Sequence, residues 1–174
     1  VTPEQRSYPF QITPLGTQHD RVAFSCGIEA LDRYLQKQAS QDVAKRVAAV
    51  FVATPDDKTI AGFYTLSAHA ISPGDLPPEV AKTLPRYPTA PATLLGRLAV
   101  SEAFQGRGLG EYLLLDALKR ALVHGREVAS AAVVVDAKDE NARKFYLRHD
   151  FISLPAKPNR LFFLMKAIEK LFQG

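Results

Sequence analysis

The chain has 174 residues, 47% of them hydrophobic and 23% charged, enough to bury a core as one globular domain and too apolar for a mostly disordered protein. No apolar run approaches the roughly 18 residues of a membrane span and the N-terminus lacks a basic-then-apolar leader pattern, so no membrane association and a cytoplasmic location are expected. Cys26 is the only cysteine, which excludes an intrachain disulfide and a cysteine metal cluster. The four histidines show no metal-ligand spacing, and no metal is expected.

The net charge of +4 is unevenly placed. From Asn141 onward seven basic residues face two acidic ones, a balance of +5, and the remainder of the chain stands at −1. Basic charge gathered in one quarter of a domain suits a polyanionic partner.

Phe10 to Leu15 reads as a first strand. Ile28, Leu31, Leu35, Ala39 and Val43 recur at helical spacing, which predicts one helix or two short ones between Gly27 and Arg46. Val47–Thr54 and Thr59–Ile71 are extended runs around the turn-forming Pro55-Asp56-Asp57-Lys58, a hairpin of two long strands. Prolines at 73, 77, 78, 85, 88 and 91 make Ser72 to Pro91 a crossing loop with room for a short helical turn at Pro78 to Lys82. Next come a strand (Thr93–Val100), a helix (Leu109–His124), a strand (Ser130–Asp136), a helix (Glu140–His149), a short strand from Phe151, a last strand (Leu161–Met165) and a helical tail. That order makes an α/β or α+β sheet in a single domain, residues 1–174.

Gln105-Gly106-Arg107-Gly108-Leu109-Gly110 lies between a strand and a helix. Glycines permit a tight turn that brings successive amides to one point, the helix adds its positive end, and Arg107 adds a permanent charge. This suits a phosphate or pyrophosphate. The spacing is neither a dinucleotide fingerprint, since position 111 is Glu111, nor a P-loop, which needs Gly-Lys-Ser/Thr.

The pattern Gln-x-x-Gly-x-Gly resembles the acyl-CoA-binding signature of the GCN5-related N-acetyltransferases (GNAT). Asp139 to Phe151 resembles that family's second signature, a helix bearing Ala-x-x-Phe-Tyr and running into Gly-Phe. Asp150 stands where glycine is usual, at a helix end that aspartate tolerates better than most residues. The resemblance implies a GNAT fold, a mixed and mostly antiparallel sheet whose central parallel strands splay apart, with flanking helices. It implies acetyl-CoA held by Leu98, Ala99, Val100, Gln105, Gly106, Arg107, Gly108, Leu109, Gly110, Asn141 and Phe145, and it makes Tyr146 the general acid for the departing thiolate. Phe24 to Gly27, the Leu31 to Leu35 run, the proline-rich loop and Gly96-Arg97-Leu98-Ala99 are similar to the toxin branch of the family, found in bacterial type II toxin–antitoxin pairs. That branch implies acetylation of the α-amino group of aminoacyl-tRNA, a block to translation, a ribbon-helix-helix antitoxin and a homodimer.

The α-amine of an aminoacyl ester is partly neutral near pH 7, because α-amino groups titrate near ~8 and the ester lowers this, so a strong base is dispensable. Arg86 and Arg97 are expected on the acceptor side, and Lys37, Lys45, Arg46, Arg143, Lys144 and Lys157 as tRNA phosphate contacts. Two rivals stay open: the same transfer to a small amine or a protein amino group, and a non-catalytic CoA- or nucleic-acid-binding module.

Overall fold

The structure, a computed structural model, describes residues 9–173. Its strands are β1 (Gln11–Pro14), β2 (Ala49–Thr54), β3 (Gly62–Ile71), β4 (Ala90–Val100), β5 (Ala132–Asp136), β6 (Ile152–Leu154) and β7 (Lys157–Leu164). The helices are α1 (Glu29–Arg33), α2 (Ala39–Ala44), α3 (Pro78–Ala81), α4 (Leu109–His124), α5 (Glu140–Arg148) and α6 (Met165–Phe172). The strand order is β1-β2-β3-β4-β5-β7-β6. β1–β2, β2–β3, β5–β7 and β6–β7 pair antiparallel and β4–β5 pairs parallel, the mixed sheet the motifs imply. The parallel pairing runs over Thr93–Leu95, and β4 continues to Val100 without further pairing to β5 among the described residues.

The residues group into two compact units, one made of the chain up to Ser67 with Gly96–Ala117, the other of Ala68–Leu95 with Leu118 onward. In the first unit Phe24, Tyr34, Leu35, Ala39, Val52 and Phe63 build a core against β2 and β3. A π-helical turn, Tyr34–Gln38, joins α1 to α2. Such a turn takes up about one extra residue and rotates the residues beyond it. Leu35 and Ala39 are fully buried as the helical spacing predicts, but Val43, placed on the same face by that spacing, is turned out and 40% exposed. Its neighbour Asp42 turns in instead and accepts a hydrogen bond of 2.9 Å from the Tyr34 hydroxyl. After α2, Arg46 is left-handed (φ 57°), with the amides of Arg46 and Val47 donating to the carbonyls of Val43 and Asp42. That is a Schellman ending in which Arg46 takes the place glycine usually holds.

In the second unit Val134, Leu154 and Phe162 of β5, β6 and β7 pack with Ile71, Leu76 and Ala92. Strand β7 starts at Lys157, four residues before the predicted Leu161. The polar Pro158-Asn159-Arg160 gives no apolar alternation, yet Arg160 pairs across from Asp136 in register, and its guanidinium grips that carboxylate at 2.7 and 2.9 Å. Met165, predicted to end the strand, instead opens α6, its amide donating to Ala131. Strand β4 begins three residues early, at Ala90, because Pro91 lacks only a donor and its carbonyl accepts from Ala131.

Candidate active site

The glycine loop belongs to the first unit. Val100 ends β4, a short 3-10 turn spans Glu102–Phe104, and α4 opens at Leu109. Gly106 and Gly108 are left-handed, with φ of 77° and 78°, a conformation that costs any other residue strain. A Cβ at Gly106 would meet nothing within 4 Å, so it is the backbone conformation and open space, rather than packing, that ask for glycine there. Among the described residues the amides of Gly106 through Gly110 have no backbone acceptor. Five consecutive donors at the start of a 16-residue helix form a cradle whose chemistry fits a pyrophosphate. Arg107 is exposed, its guanidinium 5.7 Å from the centre of the Phe104 ring.

Gln105 is not free to face a ligand with its amide nitrogen. Its Nε2 donates to the carbonyls of Val100 (2.9 Å) and Cys26 (3.2 Å), tying the loop to the end of β4 and to the Phe24–Gly27 segment. The same segment is stitched on further: the Glu102 amide and the Ser101 hydroxyl both donate to the Ser25 carbonyl. Asp32 accepts from the Cys26 amide at 2.8 Å. Gly27 is left-handed (φ 87°) and a Cβ there would lie 3.0 Å from the Glu102 carboxylate. Ser25, Cys26 and Asp32 are therefore loop buttresses that sequence spacing did not single out, since the loop they brace lies some 80 positions away. Leu109 and Ala99 are core residues, 2% and 6% exposed, and can serve a ligand through their backbone alone; Leu98 and Val100 are half-buried. Gly62 lets α4 and the end of β4 pack close: a Cβ there would lie 2.8 Å from the Leu113 side chain and 2.9 Å from the Ala99 carbonyl.

Tyr146 belongs to the second unit, on α5. Asp139 caps that helix, its carboxylate accepting from the Ala142 amide at 2.8 Å. The other end is a Schellman turn. The amides of Asp150 and Phe151 donate to Leu147 and Tyr146, and Asp150 is left-handed at φ 69°, as the position of the missing glycine predicts. The turn brings Phe151 onto Tyr146, ring centres 5.3 Å apart, and Phe163 onto Phe151 at 5.2 Å. Tyr146 is thus both packed and chemically equipped. It is 8% exposed, and its hydroxyl makes no hydrogen bond among the described residues. Burial drives its pKa well above the ordinary tyrosine value, so it stays a neutral donor throughout the physiological range. Phe145 touches it edge-on at 5.2 Å but leans towards His149 at 4.9 Å, so the two adjacent rings face different neighbours. Asn141 is exposed in the first turn of α5.

The basic residues divide. Lys37, Lys45 and Arg46 are exposed along the α1–α2 stretch, and Arg97 lies half-buried over the Tyr34 ring, 3.5 Å from its centre. In the second unit Arg86 and Lys144 are exposed, and Lys157 lines an open cleft of about 460 Å³ with Asp136, Asn159 and Arg160. Arg143 is held locally, donating to the Pro158 carbonyl at 3.1 Å and to Glu140 at 3.3 Å. Arg160 is bound to Asp136, which raises its pKa further.

Among the described residues the first unit carries a loop of amides without backbone acceptors at the start of a helix, and the second a tyrosine on a capped helix after β5. A model of the acetyltransferase (GNAT) domain matches residues 46–153, and the chain belongs to that family and is an N-acetyltransferase. It is 37% identical to the tRNA-acetylating toxin of Mycobacterium tuberculosis, over 84% of this chain and 87% of that one. A probable toxin TacT from Sinorhizobium fredii is 32% identical over 92% and 93%. Among solved structures, AtaT complexed with acetyl-methionyl-tRNAfMet is similar at a TM-score of 0.87 and 29% identity, over 94% of this chain and 99% of that one.

Proposed function

We propose that this protein transfers the acetyl group of acetyl-CoA to the α-amino group of aminoacyl-tRNA and so blocks translation. The observation that carries the choice of acceptor is coverage. The family model begins at residue 46, whereas likeness to the TacT protein extends over 92% of the chain and so takes in much of the α1–α2 stretch that lies outside the family model. Acetyl-CoA, when bound, supplies the acetyl group as a thioester.

The amides of Gly106 to Gly110 hold the pyrophosphate, with Arg107 beside them and Gln105 bracing the loop from behind. Leu98 to Val100 offer backbone groups along the end of β4 to the pantetheine arm and the thioester carbonyl. Tyr146 donates a hydrogen bond to the leaving sulfur. Its pKa lies above the ~8.5–9 of a thiol, so outright transfer of its proton is uphill; the proton it delivers is replaced from the attacking amine, which must lose one as the amide forms. Asn141 and Phe145 flank it on α5. No acyl-enzyme is needed, since the only cysteine, Cys26, is buried in the first unit's core. Lys37, Lys45, Arg46, Arg86, Arg97, Arg143, Lys144 and Lys157 supply phosphate contacts. Arg143 contributes through whichever donors its two local bonds leave free.

The protein works in the cytoplasm as a homodimer and is restrained by a ribbon-helix-helix antitoxin. An antitoxin partner is supported by an AtaT mutant toxin, similar at a TM-score of 0.81, that is bound to the C-terminus of the antitoxin AtaR; no helix of the described residues is long and apolar enough to cross a membrane. The deciding experiment measures acetyl-CoA consumption with charged total tRNA, uncharged tRNA and a panel of free amines. Transfer confined to charged tRNA is expected, and transfer only to free amines overturns the reading.

A further inference from the structure

Arg97 sits where a solvated surface arginine would not. It is half-buried, its guanidinium carbon lies 3.5 Å from the centre of the Tyr34 ring, and among the described residues no hydrogen bond or ion pair engages its five N–H donors. The ring beneath it is fixed on its face and at its hydroxyl. Tyr34 is 6% exposed and stacks on Phe63 with ring centres 6.3 Å apart. Its hydroxyl donates to Asp42 at 2.9 Å, and the other oxygen of that carboxylate accepts from Gln38 Nε2 at 2.9 Å. The π-helical turn between α1 and α2 is what makes this arrangement, by bringing Asp42 rather than Val43 to the inner face. Asp42 holds its charge, since the bonds from Gln38 and Tyr34 keep its carboxyl below the usual range. From the hydroxyl end of the ring it attracts Arg97 without consuming any of its donors.

An arginine laid over an aromatic face loses little mobility on binding, and its planar fork matches a phosphate diester. Resting on the aminoacyl-tRNA reading, we infer that Arg97 is a preorganised phosphate clamp for the tRNA backbone and that Tyr34, Asp42 and Gln38 are positioning residues that act through it. Lys37, in the same π-helical turn, and Lys45 and Arg46 beyond α2 are exposed and add positive charge to the same unit. A lone lysine at position 97 would keep the charge but lose the fork and most of the stacking.

The test compares Arg97→Lys, Arg97→Gln, Tyr34→Phe and Tyr34→Leu in full-length protein, with charged tRNA and with a phosphate-free aminoacyl methyl ester as acceptors. Far-ultraviolet circular dichroism and thermal melting identify variants that fail to fold. The ratio of kcat/KM for charged tRNA to that for the ester should fall about tenfold in both Arg97 variants, carried by KM for tRNA, and the salt slope for tRNA should drop by about one in Arg97→Gln. Tyr34→Phe, which keeps the ring, should retain most of the ratio and Tyr34→Leu should lose it. Equal losses on both acceptors, or an unchanged ratio in Arg97→Lys and Arg97→Gln, overturn the clamp while leaving the acceptor reading standing. No transfer to charged tRNA by the unaltered protein overturns both. If Tyr34→Leu does not fold, the Arg97 pair and Tyr34→Phe decide alone.

Discussion

The Tyr146 hydroxyl is a single group on which two physical demands meet. Packing by Phe151 fixes the ring, and the same burial raises the pKa, so the group donates without ionising. Tyr146→Phe keeps the ring and removes the donor. We expect kcat to fall by roughly 10²–10³, the range of one positioned acid, with acetyl-CoA affinity by isothermal titration unchanged. The sign of the shift sets the pH profile. A raised tyrosine pKa keeps the acid protonated, so kcat/KM should rise through the titration of the acceptor amine, near ~7–8, and show no alkaline fall up to about pH 9. A falling limb below that pH would mean that another group supplies the proton. Four residues on, Asp150 holds a left-handed conformation that glycine adopts freely. Asp150→Gly should raise stability by about 0.5–1 kcal/mol, seen as a Tm gain of a few degrees, because it relieves that strain and the Schellman bonds are already made.

At the level of elements, the glycine loop owes its position to partners distant in sequence. Gln105 clamps it to Val100 and Cys26, so Gln105→Glu, which keeps the shape but sets a carboxylate against two carbonyl oxygens, should release it. We expect KM for acetyl-CoA to rise about tenfold, the scale of one or two lost hydrogen bonds to well-placed acceptors, with kcat reduced less. Initial-rate measurements at varied acetyl-CoA check this; a fall in kcat alone would place Gln105 in the chemical step. Most elements were legible in the sequence because each rests on a local signal. The bounds of α4 at Leu109 and His124 reflect glycine before and apolar spacing within, and the β2–β3 hairpin reflects Asp56 and its neighbours. The illegible parts depend on contacts across the chain. The π-helical turn that expels Val43, the start of β7 set by Arg160 on Asp136, and the Ser25–Cys26 buttress all lack a periodic or compositional mark. Gln105 and the glycines could be read as a loop; which of them braces and which binds could not.

Across the whole molecule the charge asymmetry of the sequence shrinks once partners are seen. Of the seven basic residues from Asn141 onward, Arg160 is neutralised by Asp136 and Arg143 is partly held by Glu140, so Lys144 and Lys157 are the second unit's better candidates for phosphate. In the first unit Lys37, Lys45, Arg46 and Arg97 form the competing set. Salt dependence separates them, because each neutralised phosphate adds a fixed increment to the slope. For charged tRNA, log kcat/KM against log salt should fall with a slope of about −2 to −4, and the double variant Lys144→Glu with Lys157→Glu should flatten it by about two if both residues touch phosphate. An unaltered slope in that variant would assign the phosphate contacts to the first unit, where Lys45→Glu and Arg46→Glu then become the informative changes. A slope near zero for the unaltered protein would contradict a polyanionic acceptor altogether, since a basic protein that grips tRNA must release counterions to do so.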